Sequence, residues 1–277
     1  MTINSLSLYF LENHPRDAAR ILEKYTPDEL ATYLEQFSTD SVANIFRHMN
    51  PSITVGCLVK MGAEKTAAIL EKFSIERASM LLRRMSIMDR IRIIKALPPL
   101  TANMIKLVLR YPDGTVGQYM NPNVFAVNKD RHVSEVVDSI HTSYDQVRSK
   151  VYVIDDKQRL IGMVFIRDLL VSDPEVAVGK IMNEPETTFS ARASLLSVRD
   201  HPQWNDRDNL PVIDQSGRFI GILKRGVMVD ALSRGDDDQH NGEGMIGAAV
   251  EIAELFWEVC ANVIAPKHET SDKGQKK

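Results

Sequence analysis

The sequence predicts an α+β protein: an N-terminal α-helical superhelix of short repeats, then two βαββα modules, then a C-terminal helix. Three observations carry that prediction. A 12-residue period runs through residues 18–101, a mixed stretch recurs at an offset of 59 residues, and a segment near the C-terminus is apolar around most of its circumference. These set expected boundaries at 1–112 for the superhelix, 113–178 and 179–235 for the modules, and 236–277 for an acidic linker, an amphipathic helix and a disordered tail.

The superhelix comes first. Written in twelves from Ala18, the chain reads "AARILEKYTPDE", "LATYLEQFSTDS", "VANIFRHMNPSI" and so on to "RIRIIKALPPLT". The ninth residue of successive blocks is Thr26, Ser38, Asn50, Gly62, Ser74 and Ser86, then Pro98. Six of these are helix N-cap types, whose short side-chain oxygen, or bare glycine backbone, serves the unpaired N–H groups of a first turn. "TPDE" at 26–29 adds a capping box with proline at the first helical position. Apolar residues recur at block positions four, five and eight, one inward stripe per short helix. A helix of two or three turns is too short to be stable alone. Stacked in series, such helices bury a continuous core.

Past "LRYPDGTVGQYMNPN" (109–123) the texture changes to β-branched and apolar runs, "NVFAV" and "SKVYVIDD", and "RLIGMVFIRDLL" passes from strand to helix through Gly162. A second copy follows. "QYMNP" is echoed by "KIMNEP", and "VYVIDDKQRLIGMV" by "LPVIDQSGRFIGIL", so that Asp155 matches Asp214 and Gly162 matches Gly221.

Between about Glu243 and Ala265 the chain predicts one helix with Glu251, Glu254 and Glu258 on one face. Leu255, Phe256, Trp257 and Val259 cover much of the remainder, an apolar width that must bury against a partner. The glycine-rich "NGEGMIG" before it follows an acidic run rather than a strand, and reads as a hinge.

Composition excludes several classes. Hydrophobic content of 44% and charged content of 26% are those of a globular chain, and a net charge of −3 gives nucleic acid no basic face to bind. Cys57 and Cys260 are far apart, so neither a disulfide framework nor a zinc knuckle is expected, and Cys57 falls at a core position of its block. No secretory leader and no run of 18 uncharged apolar residues is found, which predicts a cytoplasmic protein without a transmembrane segment. The polar ending "APKHETSDKGQKK" favours an independent protein over a fragment. The seven histidines show no metal-ligand spacing, and GxSxG, GxxxxGK[ST] and GxGxxG are missing, so no catalytic residue is assigned.

The duplicated pattern hM-x-P…hxVhD-x-x-x-x-hhGhh resembles a pair of CBS modules, or Bateman domain. Following a 12-residue helical repeat, it resembles the cytosolic region of MgtE-type magnesium transporters over about residues 10–235. The resemblance implies Mg²⁺ held between carboxylates of the helical and CBS parts, an adenine nucleotide (AMP or ATP) in the CBS cleft, and a homodimer formed through the CBS modules. Glu76 and Asp230 match acidic positions of the family, whereas Asn44, Met80 and Val227 stand where carboxylates are expected. The family's nucleotide motif, G-h-h-S/T-x-x-D, reads "GMVFIRD" at 162–168, with Asp168 kept and Phe165 replacing the hydroxyl residue. It reads "GILKRGV" at 221–227, with Lys224 replacing the hydroxyl residue and Val227 the aspartate. The implied nucleotide contacts are Val127, Ile154, Phe165, Asp168, Lys224 and Arg225.

Two functions remain open on sequence. One is a non-enzymatic regulatory protein that binds Mg²⁺ or an adenine nucleotide and changes its domain arrangement. The other is a ligand-free interaction module acting through its C-terminal helix on a protein partner.

Overall fold

A computed structural model describes residues 5–142 and 149–233. The chain forms two compact units, Met1–Met228 and Val229–Lys277, and the elements that carry the architecture lie in the first. The C-terminal helix expected around Leu255, Phe256, Trp257 and Val259, and the hinge before it, lie outside the described residues.

Short helices fill the first part: α1 (Ser5–Asn13), α2 (Pro15–Leu22), α3 (Pro27–Leu34), α4 (Thr39–Phe46), α5 (Pro51–Lys60), α6 (Ala63–Leu70), α7 (Ile75–Arg83), α8 (Ile87–Ala96) and α9 (Pro99–Leu109). From α3 to α8 each begins directly after a cap residue read from the sequence, and α9 follows Pro98. Thr26 accepts from Glu29 N–H while the Glu29 carboxylate accepts from Thr26 N–H, the reciprocal box. Ser38, Asn50, Ser74 and Ser86 likewise accept from N–H groups of their helices' first turns. Gly62 caps α6 without a side chain, and its φ of 80° with ψ of 166° is a conformation open essentially to glycine.

Each helix packs against the one two places along, α2 on α4, α3 on α5, and so through α7 on α9. That stacking widens the buried stripe beyond block positions four, five and eight. Positions one and two are buried as well, by Ala18, Ala19, Leu30, Ala31, Val42 and Ala43 in the first three blocks. In later blocks Thr54, Thr66 and Ser79 are buried there. The Thr66 hydroxyl donates to the Leu58 carbonyl, so a polar group crosses into the core satisfied. The first block departs from the expected stripe, since Ile21 and Tyr25 are exposed at the end of the stack. Cys57 is buried as its block position requires, and burial with the nearby Asp28 charge pushes its thiol up to about 11.

Each following module is a three-stranded sheet. In the first, β1 (Ala126–Asn128) runs parallel to β2 (Lys150–Ile154), which pairs antiparallel with β3 (Leu160–Phe165). In the second, β4 (Phe189–Ser190), β5 (Asn209–Ile213) and β6 (Phe219–Lys224) repeat that order. The copies share a register shift, at Val153/Ile154 and at Val212/Ile213. Helices accompany the strands: α10 (Val116–Tyr119), α11 (Val133–Thr142), α12 (Ile166–Val171), α13 (Leu195–Val198) and α14 over 225–233.

The duplicated motif residues are structural. Asp155 Oδ1 accepts from the N–H groups of Lys157 and Arg159, and Asp214 Oδ1 from those of Ser216 and Arg218, so each aspartate closes a hairpin turn. Gly162 lies inside β3 rather than at the strand-to-helix junction expected from the sequence; α12 begins only at Ile166. Its role is close approach. A Cβ there would come within 2.7 Å of the Asn183 carbonyl oxygen, and one on Gly221 within 2.6 Å of that of Asn121. The two "MN" segments are thus exchanged, Asn183 bonding to Met163 of the first module and Asn121 to Ile222 of the second. Upstream, Val116 and Gly117 of α10 donate to the Ala193 and Ala191 carbonyls, tying α10 to the second module.

Candidate functional site

Three polar constellations stand out, two of them where the parts meet. The first lies at the seam between the modules. Lys150, at the start of β2, donates to both carboxylate oxygens of Glu186 at 2.6 Å, and Arg207 Nε stands 2.8 Å from Glu186 Oε1. Glu186 belongs to the segment entering β4 and Arg207 to the turn before β5. The Lys150 and Glu186 side chains are only 11% and 4% exposed. Burial pulls the Lys150 ammonium below its ordinary range, against the restoring effect of Glu186. Beside them the Tyr152 hydroxyl, held above the usual phenol range by burial, donates to Asn209 Oδ1 at 2.9 Å. Sequence reasoning did not single out Lys150, Glu186 or Arg207. A lysine opening the apolar run "KVYVI" was the one local signal, and its partners are 36 and 57 residues away.

The second constellation lies between the superhelix and the second module. Lys224, the last residue of β6, places Nζ 3.3 Å from Glu76 Oε1 on α7. Glu76 is 7% exposed, and its other oxygen has no hydrogen-bond partner. The structure therefore brings together a residue that the family resemblance assigns to Mg²⁺ and one that it assigns to nucleotide binding. One Glu76 oxygen is thus answered by the Lys224 ammonium, and a divalent cation at this carboxylate would compete with Lys224 for it. Asp230 is exposed on α14, Met80 packs against the helical core, and Asn44 is half-buried on α4. Among the described residues no group of three His, Cys, Asp or Glu side chains is placed to hold a metal ion.

The third is the end of β3. Asp168 sits in the first turn of α12, where the helix dipole favours a carboxylate. Its side chain is half-buried, and Oδ1 lies 3.2 Å from Nε of the adjacent Arg167. Arg167 in turn stands over the Phe165 ring at 5.2 Å. Phe165 and Asp168 thus share one end of the first module. Val127 and Ile154 are buried in β1 and β2, with Val127 in the module's hydrophobic core. At the equivalent end of the second module, Arg225 donates to the Trp204 carbonyl and Lys224 turns to Glu76. The copies therefore differ: the first carries a half-buried carboxylate paired, among the described residues, only with its neighbour Arg167, the second two cations engaged by other elements.

Comparison with known proteins matches this architecture. Residues 13–114 match the family model of the MgtE intracellular N domain, and residues 116–174 that of the CBS domain. The magnesium transporter MgtE of Thermus thermophilus is 29% identical over 169 residues, covering 60% of this chain and 36% of that protein. The magnesium transporter MgtE of Enterococcus faecalis is 25% identical over 152 residues, covering 54% and 33% respectively. The aligned region thus spans about a third of the length of these curated relatives. The crystal structure of the cytosolic domain of the Mg²⁺ channel MgtE in complex with ATP aligns with a TM-score of 0.70 at 25% identity, covering 82% of this chain and 94% of that one. Among the described residues no helix is long and apolar enough to cross a membrane.

Proposed function

We propose that this chain, which joins an MgtE intracellular N domain to CBS modules, is a non-enzymatic regulatory protein that reads an adenine nucleotide at its first module. The observation that carries the reading is Asp168: an accessible carboxylate at the first turn of α12, at the motif position whose counterpart in the second module is Val227. A carboxylate so placed accepts two hydrogen bonds from a ribose diol, and the neighbouring Arg167 is a phosphate-compatible cation. The related MgtE cytosolic domain solved with ATP supports the ligand class. Leu170 and Val171 on α12 and Leu196 on α13 are exposed apolar residues of the two modules, which supports a homodimer formed through them.

The test is thermal unfolding of the full chain titrated with AMP, ATP, GTP and MgCl₂. A ligand at about ten times its Kd stabilises by roughly 1.4 kcal/mol, enough for a shift of a few degrees in a chain of this size. The expected result is a saturable shift with AMP or ATP that Asp168→Ala removes. A second reading, a ligand-independent interaction module, is favoured by the Lys224–Glu76 pair, which joins the superhelix to the second module without any ligand. No shift with any titrant supports that reading instead.

A further inference from the structure

The internal repeat provides its own reference, and the last two helices break it. The eleventh block position is the second residue of each helix. It is Asp28, Asp40, Ser52, Glu64 and Glu76 in successive blocks, the acidic or polar type that a helix N-terminus favours. In α8 and α9 it is Met88 and Leu100. At block position two, Ala19, Ala31, Ala43, Ala67 and Ser79 are buried small residues and Val55 packs against the core, whereas Ile91 of α8 is exposed. These substitutions gain nothing inside the molecule: Met88 and Leu100 are 61% and 67% exposed, and Ile91 and Ile87 are exposed with Met88 on α8.

The stacking explains the opening. In an i-to-i+2 stack α8 would next be covered by α10, but α10 packs instead against α7 and α9. The outer side of α8 is therefore a solenoid end shaped for one more helix, and solenoid ends are ordinarily closed by a polar cap. Its charge selects the occupant. Arg90 is turned inward, donating to the carbonyls of Leu82, Arg83 and Met85. Arg92 and Lys95 are exposed along the apolar stripe, and Asp89, 3.6 Å from Arg92, is the acidic residue of α8.

We infer that this face of α8, with the start of α9, is a docking surface for an amphipathic α-helix of another protein that carries glutamate or aspartate beside a small apolar stripe. The occupant continues the superhelix by one helix. Its apolar stripe covers Ile87, Met88, Ile91 and Leu100, and its carboxylates pair with Arg92 and Lys95.

The test measures fluorescence anisotropy of a labelled synthetic helix with leucine and alanine on one face and glutamate on the other, titrated with the full chain. A copy with lysine for glutamate and a scrambled copy serve as controls. The expected result is binding of the acidic helix at least about ten-fold tighter than either control. Met88→Glu or Ile91→Glu should abolish it with the unfolding midpoint unchanged, as surface positions allow. The double reversal Arg92→Glu with Lys95→Glu should transfer the preference to the lysine helix. Equal binding of all three peptides, or of none, overturns the proposal. So does binding of phosphatidylglycerol vesicles that Met88→Glu abolishes while the acidic helix fails to compete, since the surface would then serve an anionic membrane.

Discussion

Glu186 shows how much one side chain holds. Its buried carboxylate answers Lys150 and Arg207 at the seam of the modules, so Glu186→Gln leaves two cations without their counter-charge. Breaking a buried pair from one side costs about 3–5 kcal/mol. Urea unfolding of Glu186→Gln should show a loss of that size, and a change below about 1 kcal/mol would remove the cluster from the account. Asp214 gives a pH signature. Burial raises its pKa, but hydrogen bonds from the Ser216 hydroxyl and from the backbone and guanidinium of Arg218 outweigh this and hold it down to about 2. A depressed folded-state value contributes stability that is complete above the unfolded value near 3.8 and disappears as pH falls through about 2. Between about pH 4 and pH 2 the wild type should lose stability more steeply than Asp214→Asn, as followed by urea midpoints; parallel slopes would count against the turn. The same turn shows what a sequence hides. Gln158 has φ of 61° where the second copy has Gly217 at 78°, so a left-handed position is announced by residue type in one module and concealed in the other.

At the scale of elements, the positions of the helices were legible because caps and periods are local. A hydroxyl, amide or glycine every 12 residues marks where α3 to α8 start, and the structure places the helices accordingly. Gly62 is the informative exception among the caps, since it works through backbone freedom rather than a side-chain oxygen. Gly62→Ala meets no steric neighbour yet forces an L-residue to φ of 80°. It should therefore cost about 1–3 kcal/mol, measurable by chemical unfolding; a neutral result would mean that the loop relaxes. The width of the buried stripe was not legible. Whether Ala31 or Ser79 is inside depends on the helix two places away, and no single block contains that information. The exchange of the "MN" segments was hidden for the same reason: the repeated Asn121 and Asn183 are visible in the chain, but which module each serves is a matter of topology.

On the scale of the molecule, the seams join residues far apart in the chain. Glu76 and Lys224 are separated by 148 positions, and the family resemblance assigned them to different ligands. Their pairing makes the contact between superhelix and second module a property of the chain itself. A double-mutant cycle with Glu76→Gln and Lys224→Met, read by urea unfolding, should give a coupling energy of about 0.5–3 kcal/mol. Simple additivity would show that the two side chains meet without consequence. The first module keeps Asp168 accessible, and the regulatory reading rests on that asymmetry between the copies. Isothermal titration of ATP and AMP into the wild-type chain and into Asp168→Ala tests it most directly. The account predicts saturable binding of at least one of the two nucleotides to the wild type, weakened ten-fold or more by Asp168→Ala at an unchanged unfolding midpoint without nucleotide. Absence of binding to the wild type, or equal binding to both proteins, would contradict it.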